Sequence, residues 1–375
     1  MKPNILLITT DQQSHHMMSC AGNPWLKTPQ MDRIAAQGTC FSRAYCSNPV
    51  CVPSRFSWYT GRMPSAIGLR ENEKAMPEAP RKVHQGGLGH LMRRAGYITY
   101  FGGKQHLPSG ITADSLGFET YQSDERDLLA TDTASLIRSK QTSDKPWLIA
   151  ANFINPHDIC YQAIRAFADN DFDQQLLRDG KIELAELDDA LKWPEGIDED
   201  TFFEVHCPPL PDNHDVPEDE PEAVQHLVSL RGFRNKIRRH WSEREWRLHR
   251  WAYHRLTERV DGQIGTVLEA LDDSGQRGNT VIIFTSDHGD HSASHRLEHK
   301  TVFYEEAARV PLIVAPPTLH PAGVINNEHL VNTGLDLMAT CLDYAGAEQP
   351  EFNKGTSLRP VVEGVSSTLS SGTYA

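Results

Sequence analysis

Four short apolar runs punctuate the chain, and each breaks off into polar residues. Residues 5–10 lead to Asp11-Gln12, and residues 97–101 to Gly102-Gly103-Lys104-Gln105-His106. Residues 147–153 lead to Asn155-Pro156-His157, and residues 280–286 to Asp287-His288-Gly289. Short, β-rich apolar runs of this kind predict strands buried on both faces. Helical patterns lie between them. Residues 28–36 start with Thr28 as a cap and Pro29 at the first position, and Gly38 marks the stop. Residues 85–95 stop at Gly96. Residues 241–271 carry Leu248, Trp251, Leu256, Val260, Ile264, Val267 and Leu271 at helical spacing. The alternation predicts an α/β fold, with a mostly parallel sheet and helices on both faces. Ligands of such sheets bind at the carboxyl ends of strands. Polar candidates fall at four of those ends.

Between about residues 160 and 240 the pattern is less regular, with Trp193-Pro194, Pro208-Pro209-Leu210-Pro211 and an acidic stretch at 217–222. It reads as long loops and short helices over the active-site edge, where substrate choice is made, or as a plain surface insertion. No segment has the apolar length of a membrane span. A formal net charge of −13 argues against nucleic acid as the main partner. An anionic substrate therefore needs a local positive pocket. No signal-peptide pattern follows Met1, and seven cysteines without repeating spacing suggest no disulfide framework. A cytoplasmic location is expected, although a chain whose leader had been removed would read the same way.

The richest stretch is Cys51-Val52-Pro53-Ser54-Arg55, followed by Thr60-Gly61-Arg62-Met63-Pro64. It resembles the signal at which type I sulfatases, members of the alkaline-phosphatase-like superfamily, oxidise cysteine to formylglycine. Hydrated, that aldehyde is a geminal diol: one hydroxyl attacks sulfur and the other later expels the product. A proline fits a first helical turn, and the helix it opens points backbone donors at an anion. The bland alternative is a chance pentapeptide beside a buried thiol.

The resemblance extends to a metal site. Asp11 and Gln12 after the first strand, with Asp287 and His288 after a late one, match the family's metal-binding pairs, and the modified Cys51 joins them. Hard divalent cations want several oxygen ligands. Calcium is the first expectation. Gln12 removes a negative charge and His288 offers nitrogen, which admits manganese or zinc. Taken singly, Asp11 could be a strand-end turn residue and Asp287 a helix cap.

The same resemblance implies the remaining roles. Gly103-Lys104-Gln105-His106-Leu107 is similar to a Gly-Lys-Trp-His-Leu signature. Lys104 would neutralise a sulfate oxygen, and His106 would hold and later deprotonate the formylglycine hydrate. His157 would donate to the leaving-group oxygen, Lys300 would bridge sulfate and leaving group, and Arg55 would stabilise the formylglycine oxygens. His295 is a candidate substrate contact on the rim. Asp290 and Arg309-Val310-Pro311 complete a run that the family shares, and the order of all these motifs matches over roughly residues 4–360.

Two decoys compete. His291, His295 and His299 share a four-residue spacing that could place three imidazoles on one helical face for zinc. The arginine-rich 231–259 stretch, with Trp241, Trp246 and Trp251, could suggest nucleic acid; a buried aromatic face with a solvated basic side fits it better.

The expected activity is hydrolysis of a small anionic sulfate ester, preferably a sulfated carbohydrate, by a protein that a formylglycine-generating enzyme has matured. Alternatives are a phosphonate monoester or phosphodiester hydrolase on the same scaffold, and a catalytically silent binding protein. The expected organisation is a catalytic domain over 1–350, with an irregular substrate-side insertion at 160–240. Residues 351–375 would start a largely missing C-terminal antiparallel subdomain.

Overall fold

A computed structural model describes residues 2–72, 83–140, 145–317 and 323–365. Its strands are β1 (Asn4–Asp11), β2 (Thr39–Phe41), β3 (Ala44–Tyr45), β4 (Ile98–Gly103), β5 (Glu119–Gln122), β6 (Trp147–Pro156), β7 (Thr280–Ser286), β8 (Leu312–Ala315), β9 (Val324–Asn326) and β10 (Val331–Asn332). Eight of them form one sheet in the order β5-β4-β6-β1-β7-β8-β2-β9. The five strands from β5 to β7 run parallel, and β8 is antiparallel to both neighbours. All four apolar runs are therefore adjacent strands at the centre of the sheet.

Side-chain alternation explains why those runs carry apolar residues on both faces. Ile5, Leu7, Leu148, Ala150, Val281 and Ile283 enter one core. Leu6, Ile8, Ile149, Ala151, Ile282 and Phe284 enter the core on the opposite face. Helices Cys51–Thr60, Leu88–Arg94 and Thr333–Tyr344 cover the first face, and Pro29–Ala36, Asp127–Ser139 and Glu243–Asp273 cover the second. The core thus fills both sides of the sheet, as a doubly covered parallel sheet requires.

Helix boundaries moved where tertiary contacts overrode local signals. The helix expected from 85 begins at Leu88, because Gly86 and Gly87 form turns onto Val83 and His84. The long helix starts at Glu243, where Ser242 and Glu245 make a reciprocal capping box; Trp241 instead ends the Gly232–His240 helix. Thr28 makes no side-chain cap. Its hydroxyl bonds Ser19, and Asp261 caps the helix from across the core, accepting from Gln30 N at 3.1 Å and Met31 N at 2.8 Å.

The 160–240 segment holds helices Cys160–Phe167, Asp171–Asp179, Lys181–Ala190, Glu222–Ser229 and Gly232–His240. It packs small cores of its own against the long helix. One joins Ile164, Phe233, Ile237, Trp241, Trp246 and Ala293; another joins Phe202, Phe203, Cys207 and Trp251. The tryptophans of the arginine-rich stretch are thus buried. At the other end, residues 353–358 are tied to the Thr333–Tyr344 helix: Asn353 Nδ2 donates to Leu335 O, and Leu358 N donates to Thr340 Oγ1. Among the described residues, no helix is long and apolar enough to cross a membrane.

Burial pushes the Asp261 carboxyl up to about 6, against the two N–H bonds it accepts. A raised native value means that the stability this group contributes is present below the unfolded-state value and lost as pH rises through about 6. Asp261→Asn keeps an acceptor for the helix and should flatten the stability profile between pH 4 and 6, whereas Asp261→Ala should cost about 1–2 kcal/mol. Chemical denaturation across that pH range measures both.

Candidate active site

Strand register assembles the site. Thr10 of β1 pairs with Ser286 of β7, which sets Asp11 beside Asp287. Asp11 also pairs with Pro156 of β6, so His157 follows alongside. Gly103 of β4 pairs with Asn152, and Lys104 N donates to Asn152 O at 2.8 Å. Only glycine suits position 103: its φ is +81°, and a Cβ would lie 2.2 Å from Asn152 O. The fifth contribution is the Cys51–Thr60 helix, buried over its whole length. Cys51 opens it and Arg55 follows four residues later, on the same face. Pro53 sits in the first turn, where its missing N–H has no intrahelical carbonyl to meet.

Arg55 is the hinge of the arrangement. Its Nε donates to Asp287 Oδ2 at 2.8 Å, its Nη2 to Asp11 Oδ2 at 3.0 Å, and its Nη1 to Lys104 O at 3.2 Å. All three charged side chains are fully buried. Lys104 Nζ approaches the same Asp11 oxygen at 2.5 Å. Lys300 Nζ lies 4.0 Å from Asp11 Oδ1 and donates to Gln12 Oε1 at 2.7 Å.

A second set of atoms faces inward. Donor atoms of Asp11, Cys51, Asp287 and His288 lie within 4.8 Å of one another, all buried. Cys51 Sγ is 3.1 Å from His288 Nε2. His288 Nδ1 is 2.9 Å from Gly289 O, which can only accept, so Nδ1 carries a proton and Nε2 is the nitrogen turned to Cys51. Asp11 Oδ1 is buried without a hydrogen-bond partner. An orphaned carboxylate oxygen beside an imidazole nitrogen and a second carboxylate suits a divalent cation, which would take the place of a proton on Nε2, and the donor set fits one.

The charges shift together. Burial opposes ionisation of Asp11, yet Lys104, Lys300 and Arg55 hold its carboxyl well below the usual range. Burial and Asp11 would raise the Cys51 thiol, but Lys300, His288 and Lys104 bring it well below its ordinary value. Burial, Lys104 and Lys300 keep the His157 imidazole neutral far below its usual pKa. Burial also raises Asp287, against the pull of Arg55. Three buried cations thus surround two carboxylates and a thiol whose ionisation they favour.

The structure gathers Asp11, Cys51, Arg55, Lys104, His157, Asp287, His288 and Lys300 in one place. Gln12 adjoins this group through Lys300 and Asp287, and two candidates, His106 and His295, stand apart from it. The carboxamide of Gln12 is turned toward Lys300, Cys160 (Sγ at 3.1 Å) and Asp290 (2.6 Å). His106 is exposed, outside the buried cluster. His295 sits on a rim, its ring 4.2 Å from Tyr304 and its N donating to Asn213 O. The zinc arrangement of His291, His295 and His299 does not form. Ser292, Ala293, His295, Arg296 and His299 all have positive φ, so the segment is not the helix that arrangement needs. Sequence reasoning missed Cys160 and His249, the latter 3.9 Å from Asp290 and bonded to Gln162. Neither belongs to a local motif, and only the fold brings them to the site.

A mostly parallel sheet covered on both faces, with this polar centre at its strand ends, is the alkaline-phosphatase-like architecture. Residues 3–347 match the family described as Sulfatase, and the chain belongs to the sulfatase family. It is 28% identical over 379 residues to the Delta 4,5-hexuronate-2-O-sulfatase of Bacteroides thetaiotaomicron, covering 97% of this chain and 72% of that protein. A solved 2-O GAG sulfatase matches with a TM-score of 0.77 and 28% identity, over 97% of this chain and 75% of that one. The phosphonate monoester hydrolase of Agrobacterium radiobacter matches in fold, with a TM-score of 0.68 and 20% identity over 96% and 76% of the two chains.

Removing Arg55 leaves two buried carboxylates without their bridge. Arg55→Leu should destabilise the metal-free protein by about 3–5 kcal/mol. Denaturant unfolding with and without a divalent cation measures the loss, and the cation should restore part of it by binding the folded state.

Proposed function

We propose that the protein hydrolyses a sulfate ester of a carbohydrate, with Cys51 matured to formylglycine and one divalent cation held by Asp11, Asp287, His288 and the modified residue 51. The observation that carries this reading is the convergence of those four residues' donor atoms within 4.8 Å, ringed by Arg55, Lys104 and Lys300. The hydrated aldehyde supplies the nucleophile and the group that later expels sulfate. The cation supplies charge stabilisation to the transferring group. Two carboxylates and one imidazole accept manganese or zinc as well as calcium. Gln12 braces Lys300 in this reading instead of ligating the metal.

The chain's own groups do the rest. Arg55 fixes both carboxylates. Lys104 and Lys300 bring positive charge to the sulfate oxygens. His157, kept neutral by burial and the two lysines, presents a ring N–H to the departing oxygen. His106 is exposed, so a role in deprotonating the hydrate requires its side chain to turn inward. The carbohydrate preference is supported by relatives whose names specify sulfated sugars. All seven cysteines are free, which suits a reducing cytoplasm. We further take 1–350 as the catalytic domain, onto which Leu358 and Val362 of the following segment pack.

Co-expression with a formylglycine-generating enzyme should convert Cys51, seen in intact mass as thiol-to-aldehyde loss, and the matured protein should release sulfate from sulfated sugars faster than it cleaves an aryl phosphonate. An unmodified thiol with no turnover would support a silent binding protein; a faster phosphonate would favour the phosphonate hydrolase reading. His288→Ala should weaken metal affinity by about 10–100-fold, read by metal titration.

A further inference from the structure

Lys300 is flanked by His299 and Thr301, at φ +65° and +89°, conformations that cost non-glycine residues about 1–2 kcal/mol each. Arg234, from the Gly232–His240 helix, reaches this turn. Its Nη1 donates to Thr301 Oγ1 at 3.3 Å, and its Nε lies 3.5 Å from Glu298 Oε1 without a hydrogen-bond partner. The neighbouring Phe233 ring packs 5.7 Å from His299 and fixes the helix against the turn.

The side chain of Arg234 is only 15% exposed, yet its carboxylate contact is single and long. Arg238, one turn further along the same helix, contrasts with it. That guanidinium takes both oxygens of Glu220 and also donates to His295 O at 3.0 Å. Both arginines leave Nε without a partner, but Arg238 commits both terminal nitrogens to a carboxylate, whereas Arg234 has no hydrogen bond to one. Asp290, the other nearby acid, is already taken by Gln12 Nε2 and Ser292 N, each at 2.6 Å. Burial lowers the Arg234 pKa, as a guanidinium short of counter-charge should behave.

Its position is next to the chemistry. His299 lies against Glu298 and has Arg234, Lys300, His249 and His157 around it. Lys300 and His157 act directly on Cys51 and Asp11; Arg234 stands one layer beyond them. In the sulfatase reading, that layer faces the alcohol part of the substrate. A planar guanidinium fork matches a carboxylate or a sulfate in two-point contact.

We propose that the Arg234 guanidinium forms a second anion subsite, held in place by the Thr301 hydroxyl, which accepts from Arg234 Nη1 and donates to Lys300 O; the subsite binds a carboxylate or a further sulfate on the same sugar that carries the scissile sulfate ester. The proposal rests on the sulfatase reading for its orientation.

Three probes test it: a sugar monosulfate bearing a free carboxylate, its carboxyl-reduced counterpart, and that reduced sugar carrying a second sulfate. Sulfate release is measured with matured holoenzyme, and binding by calorimetry with unmatured protein, which cannot turn over. The wild type should favour at least one anionic probe over the neutral one by about tenfold or more in kcat/KM and in Kd. Whichever probe gains identifies the anion. Arg234→Gln should bring the anionic probes to within about twofold of the neutral one, with Arg234→Lys keeping part of the preference. If no probe releases sulfate but the Arg234-dependent binding preference persists, the sulfatase reading fails and the subsite stands. Equal handling of charged and neutral probes by the wild type, equal losses on all three in Arg234→Gln, or no binding of any probe would overturn the subsite.

Discussion

Two carboxylates stand fully buried at the ends of adjacent parallel strands, and a single guanidinium bridges them. Burying Asp11 and Asp287 side by side is costly unless a cation with the right geometry meets both. Arg55 does so through Nε and Nη2, two donors of one rigid plane. This constraint fixes the helix that delivers it. Cys51 lies one helical turn before Arg55, so the bridge that neutralises the strand ends also aims the thiol at His288. The spacing of the cysteine motif is therefore a statement about geometry: Cys51 and the charge bridge share one helix face.

Lys300 depends on a different device. The segment that carries it holds a run of non-glycine residues at positive φ, which a free loop would not sustain. The fold overdetermines it. His291 N bonds His299 O, Thr301 N bonds Pro49 O, and His295 N bonds Asn213 O. Arg238 and Arg250 donate to the carbonyls of His295 and Ser292. Asn213, Arg238 and Arg250 belong to the middle segment and the long helix. The part of the chain that reads as irregular is thus what holds Lys300 in place beside Asp11.

Much of this was legible in the sequence. The strands announced themselves because both their faces are buried, so that consecutive positions are mostly apolar toward the strand end. The polar residues after Thr10, Gly103 and Ser286 then marked one edge of one sheet. What stayed hidden was side-chain direction and long-range partnership. Gln12 follows Asp11 in the chain, but a φ of +68° turns its amide away to Lys300 and Asp290. His106 is two residues from buried Lys104 and still faces solvent. Thr28 has the right residue type for a helix cap, yet Asp261, more than two hundred residues away, takes the role. Arg234 sits among many arginines with no motif to distinguish it, and only its loose pairing beside Lys300 sets it apart.

The central claim is that the inward-facing atoms of Asp11, Asp287 and His288 hold a cation against residue 51. Crystals of the matured protein grown with manganese, with data collected at the manganese edge, test it directly. One anomalous peak within coordination distance of Asp11 Oδ1, an Asp287 oxygen and His288 Nε2 is the expected result. No peak there, or a peak among His291, His295 and His299 instead, would contradict the account.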